Sequence, residues 1–311
     1  MATNTKDEVR PSRRQVLSCM AWGSAGILWT VSGGVPVARA LDAAPRASAA
    51  AVQPFSFVQI SDSHIGFDKK ANPEPEATLR AALEKVGAMR ERPAFMLHTG
   101  DVSHLSKPSE FDAADGIMKT AGLDVQYVPG EHDTIDDDGK AFFAHFGRGR
   151  TTPWYSFDQG GVHFVGLVNV LALKAGGFGS LGAEQIAWLK QDLEGRSAST
   201  PIVVFAHMPL WLIYPDWGWG TDDAAEALSH LKRFGSVTVL NGHIHQIMQK
   251  VEGNIAFRTA CSTAYPQPAP GTAPGPGPLV VPAEKLRSVL GIRRIAFAEG
   301  VPAISEASLA G

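Results

Sequence analysis

Aspartate, glutamate and histidine recur in this chain just past short apolar runs. Phe55 to Ile60 leads into Ser61-Asp62-Ser63-His64, and Ala94 to Leu97 leads into His98-Thr99-Gly100-Asp101. Asp124 to Val128 is followed by Pro129-Gly130-Glu131-His132-Asp133. Pro201 to Phe205 delivers Ala206-His207, and Val237 to Leu240 delivers Asn241-Gly242-His243-Ile244-His245. Carboxylates and neutral imidazoles together suit divalent first-row metals. A lone Asp-x-His is far more often a solvated turn than a ligand pair. Its repetition after five separate strand-like runs points instead to one metal site assembled from many loops.

The elements that must position these residues alternate in period. Between the runs lie helical patterns, at Ala77 to Arg90 (Leu79, Leu83, Val86 on one face) and at Phe111 to Ala121. Strand, helix, strand in this order argues for crossover units and a mainly parallel sheet, the α/β class. Ligands in such sheets gather beyond the carboxyl ends of the strands, where the acidic and imidazole residues lie. The middle of the chain adds hairpins: Trp154 to Phe157 and Val162 to Val170 flank Gly160-Gly161, and Ile247 to Thr259 centres on Gly253-Asn254. Helical spacing returns at Glu184 to Leu193 and at Ala224 to Phe234. After Ala264 the sequence is rich in Pro and Gly through Pro282 and should be a linker or strap, with a helical turn near Leu286 and a short strand near Ile292 beyond it.

The beginning of the chain reads as an address. Arg13-Arg14, a glycine-diluted apolar stretch and the small-x-small site Ala38-Arg39-Ala40 resemble a twin-arginine export signal rather than a membrane span. The expected organisation is a signal peptide over 1–40, a flexible mature N-terminus over 41–53, a catalytic domain over 54–264 and an extension over 265–311. The partners implied at this end are the twin-arginine export machinery and a periplasmic destination, with no stable membrane anchor. Of the two cysteines, Cys19 falls in the signal and Cys261 stands alone, so the mature core must hold without a disulfide. A formal net charge of −3 across 311 residues, with no block of Lys or Arg, argues against nucleic acid as partner.

The ordered blocks D-x-H, G-D, G-x-H-D, H and G-H-x-H resemble the calcineurin-like metallophosphoesterase superfamily, over about Phe55 to Ala264. Cyclic nucleotide phosphodiesterases and glycerophosphodiesterases are similar in block spacing. The resemblance implies a four-layer α/β/β/α sandwich around two metal ions. One would be held by Asp62, His64 and His245, the other by Glu131, His207 and His243, with Asp101 shared. It further implies His132 as the acid beside the leaving group and Asp133 as the residue that orients or polarises it. Two cations about 3.5 to 4 Å apart can share a water, lower its pKa and clamp phosphoryl oxygens during in-line attack. The residue types admit Mn, Fe, Co or Zn, as divalent or mixed-valence pairs.

Glu131 departs from the family, which has Asn there. A third carboxylate makes the pair of ions less attractive to an anionic phosphate, unless one ion is trivalent or Glu131 is protonated. The expected activity is hydrolysis of a small phosphate mono- or diester. The alternative is an exported metal-binding or sensory protein in which Glu131 suppresses turnover. His98 and His104 bracket Asp101 and suit supporting roles, while His145, His163 and His230 read as packing or surface residues. Asp136-Asp137-Asp138 reads as a solvated turn. Trp211, Tyr214, Trp217 and Trp219 form an aromatic loop beyond His207, fit to cover the core or to wall a substrate site.

Overall fold

Strand β3 (Phe55–Ile60) shows why the chain forms layers. Its side chains alternate: Phe57 joins an aromatic core shared with the other sheet, whereas Val58 and Ile60 pack on the opposite face. The computed structural model describes residues 27–32, 35–40, 52–298 and 300–310. Residues 1–48 and 49–311 form two compact units. In the first, β1 (Ile27–Ser32) and β2 (Val35–Ala40) pair antiparallel. Arg13 and Arg14 of the expected export signal, and residues 41–51 of the expected flexible stretch, lie outside the described residues.

The second unit holds two sheets. β3 pairs in parallel with β4 (Met96–His98), which pairs in parallel with β5 (Val125–Tyr127). Helix α1 (Pro75–Gly87) and α2 (Pro108–Met118) make the crossovers, and α3 (Lys140–Phe146) packs beside them. Both crossover helices start before the expected residues because Pro75 and Pro108 sit in their first turns, where a missing N–H costs nothing. The second sheet begins with the hairpin of β6 (Tyr155–Gln159) and β7 (Val162–Gly166). It continues in parallel through β8 (Ile202–Phe205) and β9 (Val237–Asn241), then β10 (Gln249–Glu252) and β11 (Ile255–Thr259) close it as a hairpin. Helices α4 (Ala183–Leu193) and α5 (Ala224–Ser229) cover its outer face through Ile186, Leu189 and Ala227. Phe57, Leu97, Phe164, Val203 and Phe205 fill the space between the sheets, with Phe57 and Phe95 stacked at 5.1 Å. The result is the expected α/β/β/α sandwich.

Residues 265–311 are more than an appendage. After α6 (Ala283–Val289), β12 (Gly291–Ala298) adds antiparallel to β3, and β13 (Val301–Ser308) forms the sheet's edge. Ile295 and Phe297 enter the inter-sheet core, and Leu290, Ile292 and Leu309 the outer one. The boundary expected at Ala264 is therefore corrected: the first sheet takes two of its five strands from beyond it. Arg293, 1% exposed, fixes the addition. Its guanidinium donates to Gln59 Oε1 (2.9 Å), the Thr259 carbonyl (2.6 Å) and Glu306 Oε1 (2.6 Å), so one buried cation ties β3, β11 and β13.

Candidate metal centre

The carboxyl ends of β3, β4, β5, β8 and β9 all reach one edge of the sandwich, and their loops hydrogen-bond to one another. Asp62 N–H donates to the Gly100 carbonyl (3.0 Å), His64 N–H to that of Asp101 (2.9 Å), and Gly242 N–H to that of His207 (3.0 Å). Asn241 pins the same region, donating to the carbonyls of Ala206 and Met208 at 2.9 Å. This mutual bracing holds backbone that L-residues rarely adopt: φ is 54° at Asp62, 41° at His64, 52° at Asp101, 69° at His243 and 54° at His245. Such strain clusters where side chains must be aimed. Two glycines make the closeness possible. A Cβ at Gly100 would strike the His207 ring, and one at Gly130 would strike Asp101.

The side chains gather in two groups. Single ligand atoms of Asp62, His64, Asp101 and His245 lie within 4.8 Å of one another, and so do those of Glu131, His207 and His243. Asp101 Oδ2 joins them, 3.5 Å from His64 Nε2 in the first group and 3.4 Å from His207 Nε2 in the second. Two of the histidines are oriented from the other nitrogen. Nδ1 of His207 meets the Thr99 carbonyl at 2.7 Å and Nδ1 of His245 that of Tyr265 at 2.6 Å, which turns Nε2 inward as an acceptor.

The arrangement fits metal better than it fits itself. Glu131 Oε2 stands 2.8 Å from His207 Nε2 and Oε1 2.9 Å from His243 Nδ1. Yet Glu131 Oε2, His207 Nε2 and His243 Nδ1 are buried with no hydrogen bond of acceptable angle. Their ligand atoms lie within 4.8 Å of one another, close enough to share a cation, and buried polar atoms without a partner are otherwise costly. Burial would raise the Glu131 carboxyl, but His243 and His207 outweigh it and hold it well below its ordinary range. Burial, with neighbouring His132 and His245, keeps the His64 imidazole neutral.

His132 and Asp133 behave differently from one another. The His132 ring places Nδ1 2.8 Å from the His104 carbonyl, while its backbone N–H donates to Asp101 Oδ1 (3.0 Å). Burial lowers its pKa, but Asp101 and Glu131 outweigh that and raise it, favouring the imidazolium. Asp133 is not the orienting group expected from the sequence. Its carboxylate accepts from the backbone N–H groups of Val102 (3.0 Å), Ser103 (2.8 Å) and Gly130 (3.0 Å), and from Ser103 Oγ (2.9 Å). It clamps the Asp101 loop to the Glu131 loop, and the His104 carbonyl orients the imidazole instead.

Among the supporting histidines, His98 meets Ser63 Oγ at 3.0 Å, and burial pushes it down to about 3. His104 Nδ1 lies 3.4 Å from His64 Nδ1, and burial with neighbouring His132 lowers it to about 4, so it stands neutral beside the ligand's ring. His163 is buried between Asp158 and Asp192, away from the centre. Asp137 accepts from the Ala141 N–H at the start of α3, so that acidic turn has a structural use. Of the aromatic loop, Trp219 walls the cavity beside the metal ligands, whereas Trp211 packs on Phe257. Sequence reading did not single out Tyr265 and Gln267. Tyr265 stacks on His64 at 4.8 Å with its hydroxyl 3.2 Å from Nε2, and Gln267 donates to the His243 carbonyl at 3.0 Å. The Pro/Gly-rich strap that carries Gln267 also lines the cavity with Pro276, Gly277 and Pro278.

Comparison with known proteins agrees with this geometry. The family model for calcineurin-like phosphoesterases matches residues 55–247. A serine/threonine-protein phosphatase of Bos taurus, CPPED1, is 27% identical over 222 residues, covering 62% of this chain and 70% of that protein. A probable glycerophosphodiester phosphodiesterase of Arcobacter nitrofigilis, GpdQ, is 19% identical over 225 residues, 67% of this chain and 78% of its own. Among solved structures, a dimetal phosphatase from Danio rerio superposes with a TM-score of 0.57 at 14% identity, covering 83% of this chain and 100% of that one. The purple acid phosphatase PPD1 of yellow lupin gives 0.59 at 13% identity, over 83% and 52%. With five loops delivering the two ligand groups and a family model spanning all of them, the chain belongs to the calcineurin-like phosphoesterase family.

Proposed function

We propose that this enzyme hydrolyses a small phosphate ester with water, the two ligand groups acting on one phosphoryl group. The observation that carries the reading is Asp101 Oδ2, within 3.5 Å of a histidine nitrogen in each group. Metal bound there supplies an activated water and a positive clamp for the phosphoryl oxygens. The protein does the rest. The imidazolium of His132, with Nδ1 held by the His104 carbonyl, keeps Nε2 for the leaving oxygen and gives it a proton as the P–O bond breaks. Asp133 holds the two loops that carry Asp101 and His132 at a fixed spacing. Water ends as the new P–OH and, through solvent, restores the proton to His132.

Glu131 bears on which ions are used. Asp62, Asp101 and Glu131 bring three carboxylates to the two groups. A trivalent and divalent pair, such as Fe with Mn, Zn or Co, keeps such a site attractive to phosphate better than two divalent ions do. The paired Arg13-Arg14 and the Ala38-Arg39-Ala40 site support export of the mature chain to the periplasm, and lysines at both arginines should hold the precursor in the cytoplasm.

The test is metal analysis joined to turnover of bis(p-nitrophenyl) phosphate and p-nitrophenyl phosphate after loading with Mn, Fe, Co or Zn. Wild type should bind metal and hydrolyse at least one of the two, and Glu131→Asn should shift the preferred metal. Loaded protein that turns over neither ester would defeat the reading.

A further inference from the structure

Two cavities open from the metal ligands, and their chemistry differs. One, of about 360 Å³, is walled by Phe67, Lys69, Trp219, Tyr265 and Gln267. The other, of about 390 Å³, is walled chiefly by Ile135, Val170, Leu171 and Leu173. Glu131 and His132 line both, so the reacting phosphorus lies where the two meet and the acid His132 faces each.

The second cavity is apolar where a protein surface is ordinarily polar. Ile135 is 54% exposed, Leu173 46% and Leu171 37%, three large side chains left open beside one another. Contiguous exposed apolar surface of this kind marks a binding groove. Among the described residues no Lys or Arg lines it, and the one charged side chain beyond Glu131 and His132 is the carboxylate of Asp138. A leaving group with its own negative charge would meet repulsion there and no counter-ion. The first cavity has the opposite bias: Lys69 supplies a cation, while Gln267 Oε1 and Trp219 Nε1 are buried polar atoms without partners. A monoester, with one substituent, fills only one of these cavities.

Building on the hydrolytic reading above, we propose that the substrate is a phosphodiester with an uncharged, apolar leaving alcohol. That alcohol lies in the Ile135–Leu173 groove and the retained ester group lies in the Lys69–Tyr265 cavity. Water adds its oxygen to phosphorus, the P–O bond to the apolar alcohol breaks with its electron pair, and His132 Nε2 protonates the departing oxygen. The products are a phosphomonoester, retained on the polar side, and a neutral alcohol released into the apolar groove.

The test uses the full metal-loaded chain and two readouts. In the first, the affinity of non-hydrolysable methyl(alkyl)phosphinates, whose two P–C bonds leave no ester to cleave, is measured by calorimetry as the alkyl chain grows from ethyl to hexyl. Each methylene that leaves water for the groove should tighten binding about fourfold, from ~0.8 kcal/mol per CH₂. The double variant Leu171→Ser/Leu173→Ser should flatten that dependence and raise KM for bis(p-nitrophenyl) phosphate while metal content and thermal midpoint stay at wild-type values. In the second, kcat/KM for bis(p-nitrophenyl) phosphate should exceed that for p-nitrophenyl phosphate by about tenfold or more, the worth of a substituent held in the groove. Affinity independent of chain length, or equal kcat/KM for the monoester and the diester, overturns the proposal. Chain-length dependence without turnover of either ester would uphold the groove and overturn the hydrolytic reading, so the two failures are distinct.

Discussion

Replacing Gly130 with alanine isolates how the site depends on close approach. The backbone there has φ −98° and ψ 178°, which alanine adopts freely, so no conformational penalty clouds the result. The whole effect comes from space. The new methyl would lie 2.7 Å from Asp101 Cγ and closer still to its Oδ1 and backbone nitrogen. Because the backbone atom is among those struck, a rotamer change at Asp101 cannot relieve the clash, and the two loops must part. Overpacking of this kind costs about 1–3 kcal/mol, which for a domain of this size lowers Tm by about 2–12 °C. The cost to metal binding should be larger. Asp101 serves both ligand groups, and ligand distances tolerate only about 0.2 Å of error. Both ions should bind at least about 10–100-fold more weakly. Equilibrium dialysis with metal analysis, beside thermal melts, reads the two effects separately. Gly116→Ala in α2 is the control: its methyl meets nothing within 4 Å, so it should add about 0.5–1 kcal/mol of stability and leave the metals alone. Gly130→Ala with wild-type affinity for both ions would refute the reasoning.

Two further predictions concern the scaffold. Arg293→Ala strands Gln59 Oε1 and the Thr259 carbonyl in the interior, so urea unfolding should show a loss of about 2–6 kcal/mol, and a loss below about 1 kcal/mol would show that β12 is held by other means. His163 holds Asp158 and Asp192: burial raises each carboxyl, but the bonds to Arg196 and His163 at Asp158, and to His163 and Ser156 at Asp192, outweigh it and hold both below 3.8. Carboxyls depressed in the folded state give stability that is present above the ordinary value and is lost as pH falls through the folded one. His163→Gln should therefore be destabilised at neutral pH and converge on wild type in acid below about pH 3.8, whereas a gap constant from about pH 2 to 7 would contradict that assignment.

Much of the centre was legible in the sequence because each ligand follows directly on a buried strand, where apolar period and polar loop meet within a few residues. Asp62, His64, Asp101, Glu131, His207, His243 and His245 converge in the structure. What escaped was set by distance along the chain. Asp133 sits two residues from Glu131 and looks like a partner of His132, but three of its donors are N–H groups from Val102, Ser103 and Gly130, and the first two come from another loop. Tyr265 and Gln267 begin a Pro/Gly-rich stretch without periodicity, so nothing local says that it crosses the site. β13 reads weakly because Val-Pro-Ala-Ile-Ser-Glu-Ala-Ser is an edge strand with most of its side chains exposed, and Pro302 is tolerated only where a ladder donor is dispensable. The apolar groove joins Ile135 to Leu171 and Leu173 across more than thirty residues, a proximity that only the fold creates.

The most direct test of the central claim, one carboxylate shared between two ligand groups, is the number of metal ions per chain in three proteins. Wild type should bind two. His245→Ala should keep the ion of the Glu131 group and weaken the other, because His245 belongs to one group alone. Asp101→Ala should weaken both. A wild-type chain that never exceeds one ion, or Asp101→Ala that holds two at wild-type affinity, would contradict it.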